Sequence, residues 1–209
     1  MKSCFLIGID EAGRGPIAGP VAVAAFSVIA GHKDSLLTFF KSGRVRDSKK
    51  LTAVTRERIF KELTVQKSLG KVSYAVSFAS ATVVDRKGIS FATRLALARS
   101  LEVLGVGPSE CQVLLDGSLK APEEFTLQRT IIKGDEKEAV IALASIVAKV
   151  SRDRLMVRLA KKYPHYDLDI HKGYGTSDHY RKLKKHGLSP VHRKSFLKSF
   201  VGCKNSQIV

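Results

Sequence analysis

Apolar residues along this chain fall into short runs, and several of those runs end in a carboxylate. Residues 4–9 alternate as a strand does, with Phe5, Ile7 and Ile9 on one face and Leu6, Gly8 and Asp10 on the other. The run stops at Asp10-Glu11, so the pattern predicts a strand over 4–9, with Asp10 leaving its end on the side away from Ile9 and Glu11 starting a turn. A small, β-branched run over 21–29 predicts a second strand, paired with the first through the connection 13–20. Thr52 is placed to cap a helix to about Gln66, with Ile59 and Leu63 on one face. Val72, Tyr74, Val76 and Phe78 share one side of a third strand over 72–82, and 89–104 is a helix ended by the segment Gly105 to Pro108.

The second half repeats the opening pattern. Residues 112–115 form a short apolar strand that delivers Asp116, and 127–133 form another that ends in Gly134-Asp135. From Asp135 to about Tyr163 the spacing predicts one long helix. It is apolar nearly all round from Ala139 to Val150, hence buried on most sides, and Ala142, Ala144, Ser145 and Ala148 permit close packing. Tyr163-Pro164 breaks it. His171 to Thr176 is a loop with glycines on both sides of Tyr174. Ser177 is expected to cap a basic helix to about His186, and 191–200 to form a last amphipathic helix packed through Phe196, Leu197 and Phe200. Strands alternating with helices describe an α/β fold.

Composition narrows the partner. A hydrophobic share of 44% and a charged share of 26% belong to a folded chain. The net charge of +17 points to a polyanion, nucleic acid ahead of an anionic membrane. Beyond Val150 there are fourteen Lys and Arg against four acids and five His. Cys4, Cys111 and Cys203 are too few and too scattered for a disulfide framework or a zinc site. The first apolar stretch is cut by two acids, and the run 17–30 contains Gly19 and Pro20, so neither a signal peptide nor a membrane span is expected. A soluble, cytoplasmic protein without a membrane partner is the expectation.

The candidate chemistry lies where the runs end. Adjacent carboxylates beside apolar sequence repel and lose hydration unless a cation relieves them. With no His or Cys pair nearby, oxygen donors favour Mg²⁺ or Mn²⁺. Gly13 and Gly15 permit positive φ and close backbone approach, and Arg14 between them offers a cation to a polyanion. The glycine spacing matches neither the dinucleotide fingerprint nor the Gly-Lys-Ser/Thr phosphate loop. If the strand ends point the same way, Asp10, Glu11, Asp116 and Asp135 converge beside this turn. Two metal ions held there would clamp a phosphodiester. In the basic loop 44–51, Ser48 and Lys49 are placed to contact phosphate, and Tyr174 to stack on a sugar or base.

Six segments, in order along the chain, carry a resemblance: Gly-Ile-Asp10-Glu11-Ala-Gly13-Arg14-Gly15-Pro, Asp47-Ser48-Lys49-Lys50-Leu51, Leu115-Asp116-Gly117, Lys133-Gly134-Asp135, the stretch Ala144 to Asp153, and His171-Lys172-Gly173-Tyr174. Together they resemble bacterial ribonuclease HII across almost the whole chain. The resemblance implies a ribonuclease H-like fold, a mixed five-stranded sheet flanked by helices with a small C-terminal helical extension. It divides the chain into a catalytic domain at 1–160 and a basic extension at 161–209 that contributes to substrate binding.

The resemblance further implies cleavage of the RNA strand of RNA/DNA hybrids and incision 5′ of single ribonucleotides embedded in duplex DNA, leaving 3′-hydroxyl and 5′-phosphate ends. Asp10, Glu11, Asp116 and Asp135 match the family's metal-binding carboxylates. Gly13, Arg14 and Gly15 match the motif that senses the 2′-hydroxyl and its phosphate. Tyr174 matches the aromatic on the following deoxyribose, and Ser48 and Lys49 match a phosphate-contacting loop. Arg152 and Asp153 also match and are expected to be a helix-surface or supporting pair. A monomer is expected, and no sliding-clamp contact is indicated.

Three alternatives stand beside this one. Ribonuclease HIII shares the chemistry but adds an N-terminal domain, for which an acid pair beginning at residue 10 is expected to leave no room. A junction resolvase of the same fold would act as a symmetric dimer. A non-catalytic basic nucleic-acid-binding protein would leave the four acids unexplained.

Overall fold

The computed structural model describes residues 4–29 and 51–200. Five strands form one sheet: β1 (Phe5–Ala12), β2 (Val21–Ile29), β3 (Val72–Ala79), β4 (Cys111–Asp116) and β5 (Gln128–Ile131). Their spatial order is β3-β2-β1-β4-β5. β1 pairs antiparallel with β2, and β2 with β3, whereas β4 runs parallel to β1 and β5 parallel to β4. The mixed five-stranded sheet flanked by helices is the architecture expected.

The helices are α1 (Ala53–Ser68), α2 (Ala81–Lys87), α3 (Ile89–Leu104), α4 (Gly134–Lys137), α5 (Ala139–Lys162), α6 (Leu168–His171) and α7 (Ser177–His186). Alternation along β1 and β2 divides the core between the two faces. Leu6, Ala24, Phe26 and Val28 pack with Ile59 and Leu63 of α1 and the apolar half of α5. Ile7, Ile9, Val23 and Ala25 pack with Ala92, Ala96 and Leu97 of α3. A third cluster joins Ile17 and Ala18 of the β1–β2 connection to Met156, Tyr166, Leu168, Leu183 and Leu197. The C-terminal segment is thereby packed on that connection. Among the described residues no helix is long and apolar enough to cross a membrane.

Several boundaries differ from the pattern-based expectation. β1 does not stop at Ile9, because its backbone continues to pair with β2 through Asp10↔Ala24, Glu11↔Val23 and Ala12↔Ala22. Both acids are therefore strand residues, and Glu11 does not start a turn. β3 ends at Ala79, where Ser80 accepts a hydrogen bond from Val83 N and starts a helix the alternation had concealed. β5 stops at Ile131. The single helix expected from Asp135 is two, interrupted at Glu138, whose backbone is extended (φ −120°, ψ 117°).

At the C-terminal end, Thr176 rather than Ser177 is the cap of α7, its hydroxyl accepting from His179 N at 3.2 Å. The expected helix from Val191 gives only a 3-10 turn at Lys194–Phe196 before residue 197. The backbone before that turn is committed elsewhere: His192 bridges Ala18, and Arg193 N–H donates to Ile17 O at 2.8 Å.

Helix α5 crosses β1 at Gly8, where a Cβ would lie 2.2 Å from the carbonyl carbon and oxygen of Val140. No side chain fits there. Gly8→Ala is expected to cost about 3 kcal/mol or more, since rigid backbone must give way. Urea unfolding of the variant checks this, and an unchanged midpoint would mean the helix can retreat freely.

Candidate active site

Register builds the acid cluster. Ile9 lies opposite Leu115 in the parallel β1–β4 pair, so Asp10 and Asp116, the next residues, emerge side by side. Asp116 in turn lies opposite Ile131 of β5. From β5 the chain turns into α4, where Gly134 N–H donates to Asp116 Oδ1 at 2.6 Å. Asp135 follows on the same turn and is 1% exposed. Three strands ending in one direction bring all four acids to one rim of the sheet.

The electrostatics of that rim are strained. Burial pushes the Asp10 carboxyl well above the usual carboxylate range, and the charges of Glu11 and Asp116 push the same way. A hydrogen bond from Ser145 of α5 and one from Glu11 N, 2.8 Å from Asp10 Oδ1, oppose them. Burial also raises Glu11, against the attraction of Arg14, whose Nη1 lies 3.4 Å from Glu11 Oε1. Hard oxygen donors whose negative charge is poorly compensated suit a divalent cation. Among the described residues no three carboxylate, imidazole or thiol side chains are grouped tightly enough to enclose one ion. The acids thus form an open rim of donors whose chemistry fits a hard metal.

Residues 13–20 form the neighbouring wall. Gly13 has φ 87°, and a Cβ on it would sit 1.9 Å from Arg152 Nε, so the turn needs glycine there for both conformation and space. Gly15 is exposed, with nothing near its missing side chain. Arg152, expected either on the helix surface or in a supporting role, has the second: it is 2% exposed and donates to the carbonyls of Pro20 (2.9 Å), Lys172 (3.0 Å) and Ala18 (3.2 Å). It faces inward because it lies seven residues, two turns, beyond Ser145 on the same side of α5.

The loop carrying Tyr174 adjoins this wall. Gly173 O accepts from Ile17 N at 2.9 Å and Ala18 N at 3.2 Å, and Tyr174 itself is 45% exposed. A directed chain of neutral imidazoles holds it. Ser189 N–H donates to His192 Nδ1 at 3.0 Å, which leaves the His192 Nε2–H to donate to His179 Nε2 at 3.1 Å. The His179 Nδ1–H then donates to Tyr174 O at 2.8 Å. His171 stacks on His179 with ring centroids 4.1 Å apart, and Tyr166 meets His192 edge-on at 4.7 Å. Ser48 and Lys49 lie outside the described residues.

A family model described as Ribonuclease HII matches residues 7–199. The chain belongs to the ribonuclease HII family. Ribonuclease HII of Caldicellulosiruptor bescii is 45% identical over 197 residues, covering 94% of this chain and 88% of its own. The PCNA:RNase HII complex from Archaeoglobus fulgidus contains a chain that superposes with a TM-score of 0.70 at 26% identity, covering 90% of this chain and 93% of that one. Bst-RNase HIII in complex with Mn²⁺ superposes with a TM-score of 0.74 over 98% of this chain and 71% of that one, and at 21% identity shows the shared fold alone. As a ribonuclease HII the chain is a metal-dependent nuclease, an endonuclease that degrades the RNA of RNA/DNA hybrids.

Sequence reasoning singled out Arg152 as a helix-surface or supporting residue without its inward bonds, and missed Ser145, the His179–His192 pair and Arg193. For the first two a signal existed, since a serine and an arginine two turns apart interrupt a buried helical stripe. The others sit in segments without periodicity.

Burial lowers both His179 and His192 from 6.5 to about 4, with further opposition from His171 and, at His179, Lys182. The hydrogen bond from His179 to the Tyr174 carbonyl, the Ser189 carbonyl that would accept from protonated His192, and the charge of Asp178 only partly offset this. Between those values the unfolded chain binds protons that the folded chain does not. Stability therefore falls as the pH drops from 6.5 towards 4, by on the order of 2 kcal/mol for the pair. Urea unfolding at several pH values, compared with His192→Gln, checks this: a variant with the same acid dependence as the parent would count against the neutral pair.

Proposed function

We propose that Asp10, Glu11, Asp116 and Asp135 hold two divalent ions, Mg²⁺ or Mn²⁺, and that the chain incises duplex DNA on the 5′ side of an embedded ribonucleotide as well as degrading longer hybrids. The observation that supports this best is the adjacency of two surfaces: the acid rim at the ends of β1 and β4, and the wall formed by the 13–15 turn and the Tyr174 loop. When bound, the metal supplies charge stabilisation at the scissile phosphate and an activated water, giving 3′-hydroxyl and 5′-phosphate ends.

The chain's own groups select and orient. A 2′-hydroxyl distinguishes RNA from DNA, and the turn Gly13-Arg14-Gly15 offers backbone groups that reach it. Arg14 pairs with Glu11 and stands at the phosphate side of the turn. Tyr174 presents an exposed ring to the following deoxyribose, so the two sides of an RNA-to-DNA junction meet different chemistry. The described part of the extension 161–209 adds a basic helix, α7, with Arg181, Lys182, Lys184 and Lys185 for the phosphate backbone. Ser48 and Lys49 belong to the same substrate-binding set. The role is removal of ribonucleotides from DNA during replication and repair, in the cytoplasm and as a monomer.

A duplex with one ribonucleotide, incubated with Mg²⁺ or Mn²⁺ and with chelator, tests the reading. A metal-dependent nick 5′ of the ribonucleotide is expected, reduced roughly a thousandfold in Asp10→Asn while duplex binding is retained. Equal cleavage by that variant would mean the acids are not the site. Tyr174→Ala is expected to weaken binding at the junction by about 1–3 kcal/mol, with little change on a uniform DNA duplex. Equal losses on both duplexes would remove the junction role.

A further inference from the structure

The C-terminal segment sends one side chain under the 13–15 turn. Arg193 is fully buried. Its Nη2–H donates to Gly13 O at 2.7 Å, its Nη1–H to Arg14 O at 2.8 Å and its Nε–H to Gly19 O at 2.9 Å. Arg152 lies beneath the same connection on the carbonyls of Ala18 and Pro20. Two guanidinium groups thus share one pocket and repel each other, and each is held by backbone carbonyl oxygens. A buried cation stabilised this way fixes the direction of every carbonyl it touches, because releasing one leaves charge unsolvated.

The direction matters on the other side of each peptide. In a trans peptide the C=O and the following N–H point opposite ways, and the chain has no cis bond among the described residues. With the carbonyls of Gly13 and Arg14 turned inward, the N–H groups of Arg14 and Gly15 turn outward. Neither amide meets an acceptor among the described residues, and a side chain at Gly15 would meet only open space. Two adjacent outward donors over a buried positive charge form a small acceptor-binding nest.

We propose that Arg193 is the positioning residue of the ribonucleotide-sensing turn: by bonding the Gly13 and Arg14 carbonyls from below, it aims the Arg14 and Gly15 amides at an oxygen of the ribonucleotide. The inference rests on the reading of 13–15 as the sensor of the 2′-hydroxyl and its phosphate, and adds what sets the sensor's geometry. Arg193 does not touch substrate. Lysine in its place keeps the charge but has no planar fork to span three carbonyls.

The test separates geometry from charge and from folding. In an Asp10→Asn background, which prevents cleavage, affinity is measured for a duplex carrying one ribonucleotide and for the same duplex in all-DNA form, with and without Arg193→Lys. The lysine variant is expected to lose about tenfold of the preference for the ribonucleotide, while binding of the all-DNA duplex by the basic surface stays unchanged. Preference retained in full would overturn the proposal and leave the functional reading standing. A parent without any preference would overturn that reading, and the inference with it.

A second measurement needs no variant at Arg193 and so does not depend on its folding. In the amide NMR spectrum of the Asp10→Asn chain, the Arg14 and Gly15 signals are expected to exchange quickly with water. They should shift on addition of the ribonucleotide duplex and not on addition of the all-DNA duplex. Slow exchange of both amides in the free protein would show that they already have partners, and would overturn the outward orientation.

Discussion

The close approach of helix α5 to strand β1 is the constraint on which the site depends. Because Gly8 has no side chain, the backbone of Val140 lies against the strand, and everything further along the helix is placed from that contact. Ser145 then falls at Asp10, and Arg152, two turns on, falls under the 13–20 connection. Met156 follows one turn later, against Gly19. One side of one helix therefore spaces the acid rim from the turn beside it. A shift of α5 by a fraction of its pitch would disturb both together, which couples the acid rim and the 13–20 connection through a rigid body rather than through loops.

Charge is distributed on the same plan. The acid rim concentrates negative groups, with Arg14 paired to Glu11, while Arg152 and Arg193 sit buried without a carboxylate bonded to either among the described residues. Pairing those arginines with the acids would have neutralised both. Backbone carbonyls take the place of counter-ions, so the arginines keep their hold on the loop without drawing on the acids. Burying a guanidinium on carbonyl dipoles is costly, and the cost is tolerated where it fixes the shape of a turn that has almost no side chains of its own.

Much of this was legible in the sequence, and the parts that were not have common causes. The strands, α1 and α3 follow from hydrophobic period, with the 21–29 and 89–104 boundaries as expected. The four acids stood out because each follows an apolar run, and parallel pairing of β1, β4 and β5 brings them to one rim. What failed was termination. Backbone pairing carried β1 through two carboxylates that composition marks as a turn, and the break at Glu138 lies within a stretch whose period is helical on both sides. The buried histidines and arginines were invisible for a different reason. They serve the backbone of distant segments, and a hydrogen bond from residue 193 to residue 13 leaves no local pattern to detect.

That last contact also orders events in time. The turn at 13–15 and the guanidinium bonded to it are 180 positions apart in the chain. Sheet, acids and long helix can all assemble before it arrives. Contacts that close so long a loop form slowly, so the carboxylates can be in place while the turn is still unset. The shape of the 13–15 turn is set only when the C-terminal segment docks.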